Sequence, residues 1–304
     1  RAAVNVGEGT TVNYVACAVY DATGEEMPDL RQYRPITNKT AEYSIRLVKG
    51  QAYRVAFFAY YGEDNGISDY YNMQYLTDIK IKDAKSNIEH RDAFTNYVDV
   101  TAQESMKAVE KPVTLYRPFA QLNLGAVAED IEAAKKAGVV VTNSKITVSN
   151  VYTEFDAYNN AIVAGAQSKE VTFTMNEIPG QDLYVDMDND ATTADESFEY
   201  LALNYLLVGD AGTEKSLTDV EFVWENSDAS KTNNPTTHFK NIPVQRNYRT
   251  NIIGKLLTNP ATFNIVIDAD FIDSPEDDYI VSVWDGESAT TPVADADGVY
   301  RISS

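Results

Sequence analysis

Three aspartates in the stretch DMDNDATTADES have the spacing of metal ligands. Asp186, Asp188 and Asp190 take the first, third and fifth places of a calcium loop, where carboxylate oxygens coordinate the ion. The glycine of the sixth place and the glutamate of the twelfth are replaced by Ala191 and Ser197. We therefore interpret the stretch as a solvated acidic loop, and keep the three aspartates as a partial match to a calcium site.

Other arrangements that carry catalysis are missing from the sequence. The two histidines, His90 in EHRD and His238 in TTHFK, are isolated, so they cannot form a zinc site with the single cysteine. Neither the GxSxG turn of a serine hydrolase nor a glycine-rich phosphate loop is present. A hydrolase that uses two carboxylates is the least favoured alternative, because no motif nominates a pair. We predict a non-enzymatic protein with no catalytic residues and no cofactor.

The single cysteine, Cys17, lies in the apolar run NYVACAVY. Cysteine in such a run is typically buried as a small hydrophobic residue. We predict a buried thiol, and one cysteine excludes a disulfide within the chain.

The composition of the chain limits the kinds of partner that it can bind. The net charge of −21 argues against nucleic acid, because a duplex would be repelled and no cluster of Lys and Arg offsets the charge. No apolar run is long enough to span a membrane as a helix. The sequence begins at Arg1 without a methionine, so we expect a mature form whose targeting segment is not shown.

Tyrosine, threonine and valine are frequent, as in β structure. In AEYSIRLVKG, Tyr43, Ile45 and Leu47 alternate with polar residues, which predicts a half-buried strand. The run YRVAFFAYY is apolar on both faces, as a central strand would be. We interpret residues 63–96 as a long loop.

A new pattern begins near Lys111. In RPFAQLNLG, Ala120, Leu122 and Leu124 alternate with Gln121 and Asn123, and AVAEDIEAAKKA at 126–137 predicts one short helix. Many short strands with one helix favour an all-β fold of two sandwiches. The predicted division is 1–114, 115–278, and a C-terminal strand or tail at 279–304. Later strands are predicted at 139–142, 145–153, 171–175, 199–208, 219–224, 244–257 and 263–267.

The segment IPVQRNYRTNIIGKLLT at 242–258 is basic in an acidic chain, and no Asp or Glu occurs between Lys231 and Ile267. We interpret the predicted strands at 244–257 and 263–267 as a paired strand hairpin, with a specific partner surface as the alternative. Its core residues are predicted to be Ile252, Ile253, Leu256, Leu257, Ile265 and Ile267. Arg246, Arg249 and Lys255 are expected outward or at the domain junction.

Three stretches, RPFAQLNLG, IPVQRNYRTNIIGKLLT and FNIVIDADF, in this order and spacing, resemble the fimbrillin family, the type V pilins of Bacteroidales. The resemblance covers nearly the whole chain. It implies two transthyretin-like β-sandwich domains, export as a lipoprotein precursor, and an outer-membrane-associated location at the cell surface or fimbrium. It also implies cleavage after an arginine, followed by insertion of a strand from the next subunit.

The resemblance assigns processing to Arg1 and Ala2, which precede the first strand. It assigns the donor strand to the C-terminal run YIVSVW, with Tyr279, Ile280, Val281, Val283 and Trp284 as its residues. The run WDG…P…DGVYRI also looks like the opening of a further surface repeat, and both readings stay open.

We therefore predict a pilus subunit, as shaft, accessory or tip component, that assembles with other fimbrial subunits by strand exchange and supports adhesion to a surface ligand. The alternative is a monomeric, lipid-anchored surface module that binds glycan or protein. Trp224 and Trp284 could then stack on sugars, although such aromatic residues are more often core.

Overall fold

Extended segments rich in β-branched and aromatic residues form nearly all of the regular structure. The structure, a computed structural model, describes residues 6–102, 110–187, 195–231, 235–268, 279–284, 293–294 and 300–301. Within these residues the strands are numbered β1 to β22 along the chain, and the one α-helix is α1 (Ala128–Lys136). The predicted all-β class and the predicted helix are confirmed.

Two sheets face each other in the N-terminal half. Sheet I has the order β2 (Gln32–Pro35), β1 (Tyr14–Tyr20), β4 (Ala52–Tyr60) and β7 (Phe94–Thr101). Sheet II has the order β3 (Thr40–Ser44), β20 (Tyr279–Trp284) and β8 (Glu110–Leu115). Strand β4 is buried on both faces because it lies between β1 and β7 and both sides of sheet I are covered. The prediction for YRVAFFAYY is confirmed.

Two larger sheets form a second sandwich. Sheet IV has the order β14 (Asp182–Val185), β15 (Glu196–Leu206), β9 (Ala120–Ala126), β18 (Arg249–Gly254) and β19 (Phe263–Asp268). Sheet V has the order β13 (Lys169–Glu177), β10 (Val141–Val151), β16 (Glu214–Asn226) and β17 (Thr236–Gln245). The largest apolar cluster packs between them and includes Leu122, Leu124, Phe222 and Trp224.

A small sheet joins the two halves. Sheet III has the order β12 (Ala161–Ile162), β11 (Glu154–Asp156), β6 (Ile79–Ile81) and β5 (Tyr71–Asn72), so each half contributes two strands. The interpretation of residues 63–96 as a long loop is therefore wrong in part, because β5 and β6 pair inside it. The remaining strands, β21 (Val293–Ala294) and β22 (Tyr300–Arg301), pair only with each other.

The second face of sheet I packs against sheet IV through an apolar cluster of its own. Phe58 and Tyr60 of β4 share this cluster with Tyr200 and Tyr205 of β15. Before residue 115 the last strand of the first sandwich is β8, and the second sandwich begins with β9, close to the predicted boundary at 114 and 115. Strand β20, from the predicted tail 279–304, also belongs to the first sandwich. Since the contact between the halves is itself a buried core, the division into separate domains stays a prediction.

Polar groups are buried at the same junction. Arg117 and Asp92 form an ion pair with Nε 2.9 Å from Oδ1, and their side chains are 1% and 0% exposed. Gln121 and Asn123, on the polar face of β9, are also fully buried. Asn123 donates to Asn251 Oδ1 of β18 at 2.8 Å and accepts from the hydroxyl of Tyr200 at 2.5 Å. The polar side of RPFAQLNLG is therefore buried, and Asn123 bonds to neighbouring strands of sheet IV rather than to water.

The N-terminal segment closes this junction through two glycines. Gly7 and Gly9 have φ of 83° and 79°, and a Cβ would lie 2.1 Å from Gln121 Nε2 at Gly7 and 2.7 Å from Phe94 Cζ at Gly9. Only glycine tolerates both the conformation and the space. Between them, the Glu8 carboxylate lies 3.9 Å from Nη1 of Arg249.

The basic segment 242–258 contributes to two strands in different sheets. Strand β17 pairs with β16 in sheet V, whereas β18 pairs with β9 and β19 in sheet IV, so the chain crosses between sheets at residues 246–248. The prediction of one strand over 244–257 is therefore wrong, because residues on the two sides of 246–248 cover opposite sides of one core. The predicted pairing with the strand at 263–267 is confirmed, since β18 and β19 are antiparallel neighbours. Arg246 and Arg249 are buried at the junction, and Lys255 is exposed beside Glu129.

The core prediction for this segment is confirmed for Ile252, Ile253 and Leu256, which are at most 1% exposed, and Leu257 is partly buried. It is wrong for Ile265 and Ile267, which are 36% and 48% exposed. They belong to β19, the edge strand of sheet IV. No helix among the described residues is long and apolar enough to cross a membrane.

The buried ion pair generates the first prediction. Replacement of Asp92 by alanine leaves the Arg117 guanidinium without this counter-charge, so the free energy of unfolding should fall by about 3–5 kcal/mol. Urea unfolding followed by tyrosine fluorescence measures the change.

The matched control is Asp99→Ala. Asp99 pairs with Arg54 at 2.7 Å, but its side chain is 62% exposed. The loss should stay below about 1 kcal/mol because water screens the pair. Equal losses in the two variants would contradict the assignment.

Candidate functional site

A strand from the C-terminal end of the described chain lies between two strands of the N-terminal half. Strand β20 runs parallel to β3, with Val281 opposite Ala41, and antiparallel to β8, with Val281 opposite Val113. It is the central strand of sheet II. We call the space between β3 and β8 the strand groove. Neighbouring strands are about 4.8 Å apart, so the groove is about 9.6 Å wide between the two backbones.

Strand β3 is held on sheet I by its buried residues. Ala41 and Tyr43 are 5% and 2% exposed, while Thr40, Glu42 and Ser44 are exposed. The Tyr43 hydroxyl donates to the carbonyl of Val15 at 2.6 Å. Burial raises the pKa of Tyr43 well above its usual value, so the hydroxyl stays a donor. The predicted alternation of Tyr43 with polar neighbours is confirmed.

Strand β8 is held on the other side of the groove. The amide and carbonyl of Tyr116 bond with those of Thr95, at 3.1 and 2.8 Å. Asn96 donates its side-chain amide to the carbonyl of Thr114 at 2.7 Å. Both strands are therefore anchored to sheet I independently of the strand between them.

The floor of the strand groove is apolar. Val15, Cys17 and Phe57 of sheet I are at most 1% exposed and share one cluster with Val113 and Leu115 of β8. Burial raises the pKa of the Cys17 thiol strongly, so the prediction of a buried thiol is confirmed. An empty groove would expose this floor to water.

The register of β20 matches the alternation of its neighbours. Tyr279 lies opposite Leu115, Val281 opposite Val113, and Val283 opposite Tyr43. Residues opposite each other in neighbouring strands share one face of a sheet. The three positions therefore align with buried residues of β3 and β8, and Ile280 and Trp284 occupy the alternate positions.

Charged groups line the rim of the groove at β8. Lys111 Nζ, on the residue opposite Val283, donates to the carbonyl of Asp99 at 3.0 Å. Arg54 donates to both carboxylate oxygens of Asp99, at 2.7 and 3.0 Å, and these bonds lower the pKa of Asp99. The rim is therefore charged where the floor is apolar.

The structure brings together some predicted site residues and not others. Tyr279, Ile280, Val281, Val283 and Trp284 all lie in one paired strand. The assignment of this strand as a donor between subunits stays a prediction.

The remaining site predictions are distributed as follows. Arg1 and Ala2 lie outside the described residues, as do Asp188 and Asp190 of the calcium candidate, whereas Asp186 follows directly after β14. Both the processing site and the calcium loop stay predictions. The idea that Trp224 stacks on a sugar is wrong, because this side chain is 7% exposed and packs in the core between sheets IV and V.

Sequence reasoning predicted β3 but missed β8 and the groove that the two strands form. The alternation in TAEYS and in PVTL gave a signal for each strand, but nothing in the sequence paired either one with residues 279–284. Pairing of β3 with β20 joins segments more than 230 residues apart, which no local pattern encodes.

Comparisons with known proteins extend over most of the chain. No curated protein matches it. Among solved structures, it is similar to a proposed cell adhesion protein from Bacteroides ovatus, with 13% identity, coverage of 87% of this chain and 89% of that one, and a TM-score of 0.38. It is also similar to a proposed adhesin from Bacteroides thetaiotaomicron, with 11% identity, coverage of 87% of this chain and 91% of that one, and a TM-score of 0.42. A third similar structure is a fimbrial assembly protein from Parabacteroides distasonis, with 12% identity, coverage of 86% of this chain and 89% of that one, and a TM-score of 0.35.

One sequence family covers nearly the whole chain. Residues 1–293 match the pattern of a family described as a family of unknown function, DUF6562. The chain therefore belongs to the family of unknown function DUF6562.

Proposed function

We propose that this protein is a non-enzymatic subunit of a surface fibre, and that copies join by strand exchange. In this proposal the donor is the segment Tyr279–Trp284 of one copy, and the acceptor is the strand groove of the next. The observation that carries the proposal is the position of β20 as the central strand of sheet II, between two strands from the other end of the sequence.

The physical basis is the pairing of backbone groups. Every strand between two others satisfies amide and carbonyl groups on both of its sides, and a vacant groove leaves two rows of such groups exposed. Any segment with the same sequence fills the groove equally well, including the same segment of a second copy. Exchange of an identical element between copies is a low-cost route to assembly.

The geometry of exchange favours fibres over closed dimers. The donor and the acceptor are different surfaces of the same chain, so the contact between copies is head-to-tail. Head-to-tail contacts continue from copy to copy unless their rotation closes a ring. Since a copy's own strand has a high effective concentration at its own groove, assembly requires that this strand leaves first.

The finer identity follows from the sequence resemblance. We propose a fimbrillin-type subunit, as shaft, accessory or tip component, that is exported to the cell surface, associates with the outer membrane through a lipoprotein precursor, and supports adhesion. Support comes from the motif order in the sequence and from the inserted strand. Cleavage after Arg1 is part of the same proposal.

The thiol of Cys17 gives a first test of the groove. Proline cannot donate a backbone hydrogen bond, so Val281→Pro should remove β20 from its central position. The floor of the groove would then open, and Cys17 should react with a thiol reagent at least about 10-fold faster in native buffer, equivalent to about 1.4 kcal/mol of easier opening.

A proline outside the strand is the matched control. Ala289→Pro, five residues after β20, should leave the reaction rate of Cys17 unchanged. Identical labelling rates in both variants would mean that β20 does not protect the groove.

Strand exchange itself is tested with two versions of the chain. A version ending at Asp278 lacks the donor and should accept it from a tagged, longer version after slow removal of mild denaturant. Because a strand held by two ladders leaves slowly, the expected product is a mixed species that survives SDS without boiling and dissociates on heating.

The control uses Val281→Pro in the tagged version, which should yield no mixed species. If the truncated and intact versions stay separate under conditions in which both have native circular dichroism, strand exchange is ruled out. The groove would then serve only to close the fold of a single chain.

A further inference from the structure

A second surface feature lies away from the strand groove. A cleft of about 540 Å³ opens between β2, the edge strand of sheet I, and β5, the edge strand of sheet III. We call it the β2–β5 cleft. Its volume lies in the range of about 300–1,000 Å³ that is typical of small-ligand sites.

One of the few exposed aromatic side chains lines this cleft. Among the described residues only Tyr33, Tyr75 and Tyr116 are aromatic residues with a large exposed fraction, at 43%, 54% and 42%. Tyr33 lines the cleft, and Tyr75 follows Gln74, which also lines it. Ile67, on the opposite loop, is 64% exposed and adds an apolar surface. A tyrosine ring left open to water offers a face for stacking and a hydroxyl for hydrogen bonding.

Three of the polar groups that line the cleft are exposed side-chain amides. Asn65, Asn72 and Gln74 line it and are exposed. Within the described part of the chain, no hydrogen bond uses the side-chain amide of Asn65, and Asn72 uses only its oxygen, which accepts from the amide of Gln74 at 3.1 Å. Each amide has both donor and acceptor atoms, so these side chains can donate to the oxygen of a ligand hydroxyl and accept from its hydrogen.

A partly buried arginine, Arg31, holds the walls of the cleft together. Arg31 donates to both carboxylate oxygens of Glu26, at 2.6 and 2.7 Å. Its Nη1 also donates to the hydroxyl of Tyr33 at 3.4 Å and to the carbonyls of Met73 and Gln74 at 3.1 and 2.8 Å. The strand that carries Tyr33 is thereby fixed to the loop that carries Gln74.

The loop on the other side is also fixed. Gly66 has φ of 75°, and its carbonyl accepts from the buried hydroxyl of Tyr60 at 2.6 Å. Lys82 Nζ donates to the carbonyl of Ser68 at 3.1 Å. The cleft is therefore a formed surface rather than a gap between loose loops, which lowers the entropy cost of binding.

The charges of the cleft select the class of ligand. None of the residues that line it carries a carboxylate, and its one cation, Lys82, is bonded to Ser68. A cationic ligand would find no carboxylate to pair with among these residues, and an anionic ligand would be repelled by a chain of net charge −21. We propose that the β2–β5 cleft binds a neutral saccharide, with a sugar ring against Tyr33 and its hydroxyls bonded to Asn65, Asn72 and Gln74.

This site is independent of strand exchange, because the groove residues of β3, β8 and β20 take no part in it. The experiment uses the whole chain on an array of neutral, sialylated and sulfated oligosaccharides, followed by calorimetric titration with the best neutral binder. Binding of a neutral oligosaccharide with a Kd below ~1 mM is expected. Tyr33→Ala and Asn72→Ala should each weaken it at least about 10-fold.

The matched control is Tyr116→Ala, which removes an equally exposed tyrosine outside the cleft and should leave the Kd unchanged. Thermal unfolding of each variant checks that the fold is kept, as expected for exposed side chains. Binding to charged glycans alone, binding that survives Tyr33→Ala, or no binding to any neutral glycan overturns the proposal.

Discussion

Sheet II depends on one long-range pairing, the insertion of β20 between β3 and β8. The two outer strands are each anchored to sheet I, one by Tyr43 and the other through Thr95 and Asn96. They stand two strand spacings apart, so neither can satisfy the other's backbone groups. A third strand is therefore required for a closed core over Cys17 and its neighbours. This third strand is supplied by residues 279–284, near the C-terminal end of the described chain.

The rest of the molecule keeps this groove in a fixed shape. The second face of sheet I is packed on sheet IV by an apolar cluster and by buried polar groups, including the Arg117–Asp92 pair. Buried ion pairs contribute little net stability compared with apolar packing, but breaking one is costly. The pair therefore fixes the relative position of the two sheets more than it stabilises them. Loss of β20 should open sheet II without disturbing the junction.

The proposed strand exchange and the proposed saccharide binding depend on different physical interactions. The strand groove is selective through backbone pairing and apolar alternation, which any copy of the same strand satisfies. The β2–β5 cleft carries open tyrosine faces and amides, which suit a hydroxylated ligand without charge. Since the two surfaces share no residue, a fibre built through one could present the other at every subunit.

The sequence by itself determined the local elements. Alternation in AEYSIRLVKG and RPFAQLNLG predicted β3 and β9, the two apolar faces of YRVAFFAYY predicted a central strand, and the charge pattern at 126–137 predicted α1. It also placed Cys17 in the core. These features depend on residues within a few positions of each other, so the periodicity of the sequence contains them.

Only the tertiary structure decided what each face meets. Gln121 and Asn123 alternate with apolar residues, a pattern that would place them on a solvent-exposed face of the strand. In the structure they are fully buried beneath sheet I and the segment with Gly7 and Gly9. Ile265 and Ile267 have the pattern of a core, yet β19 lies at a sheet edge. Segment 242–258 divides between two sheets, and residues 279–284 pair with strands more than 160 residues earlier. The physical reason is that an alternating pattern determines which side chains share one face of a strand. The surface that packs against this face is determined by contacts between distant parts of the chain.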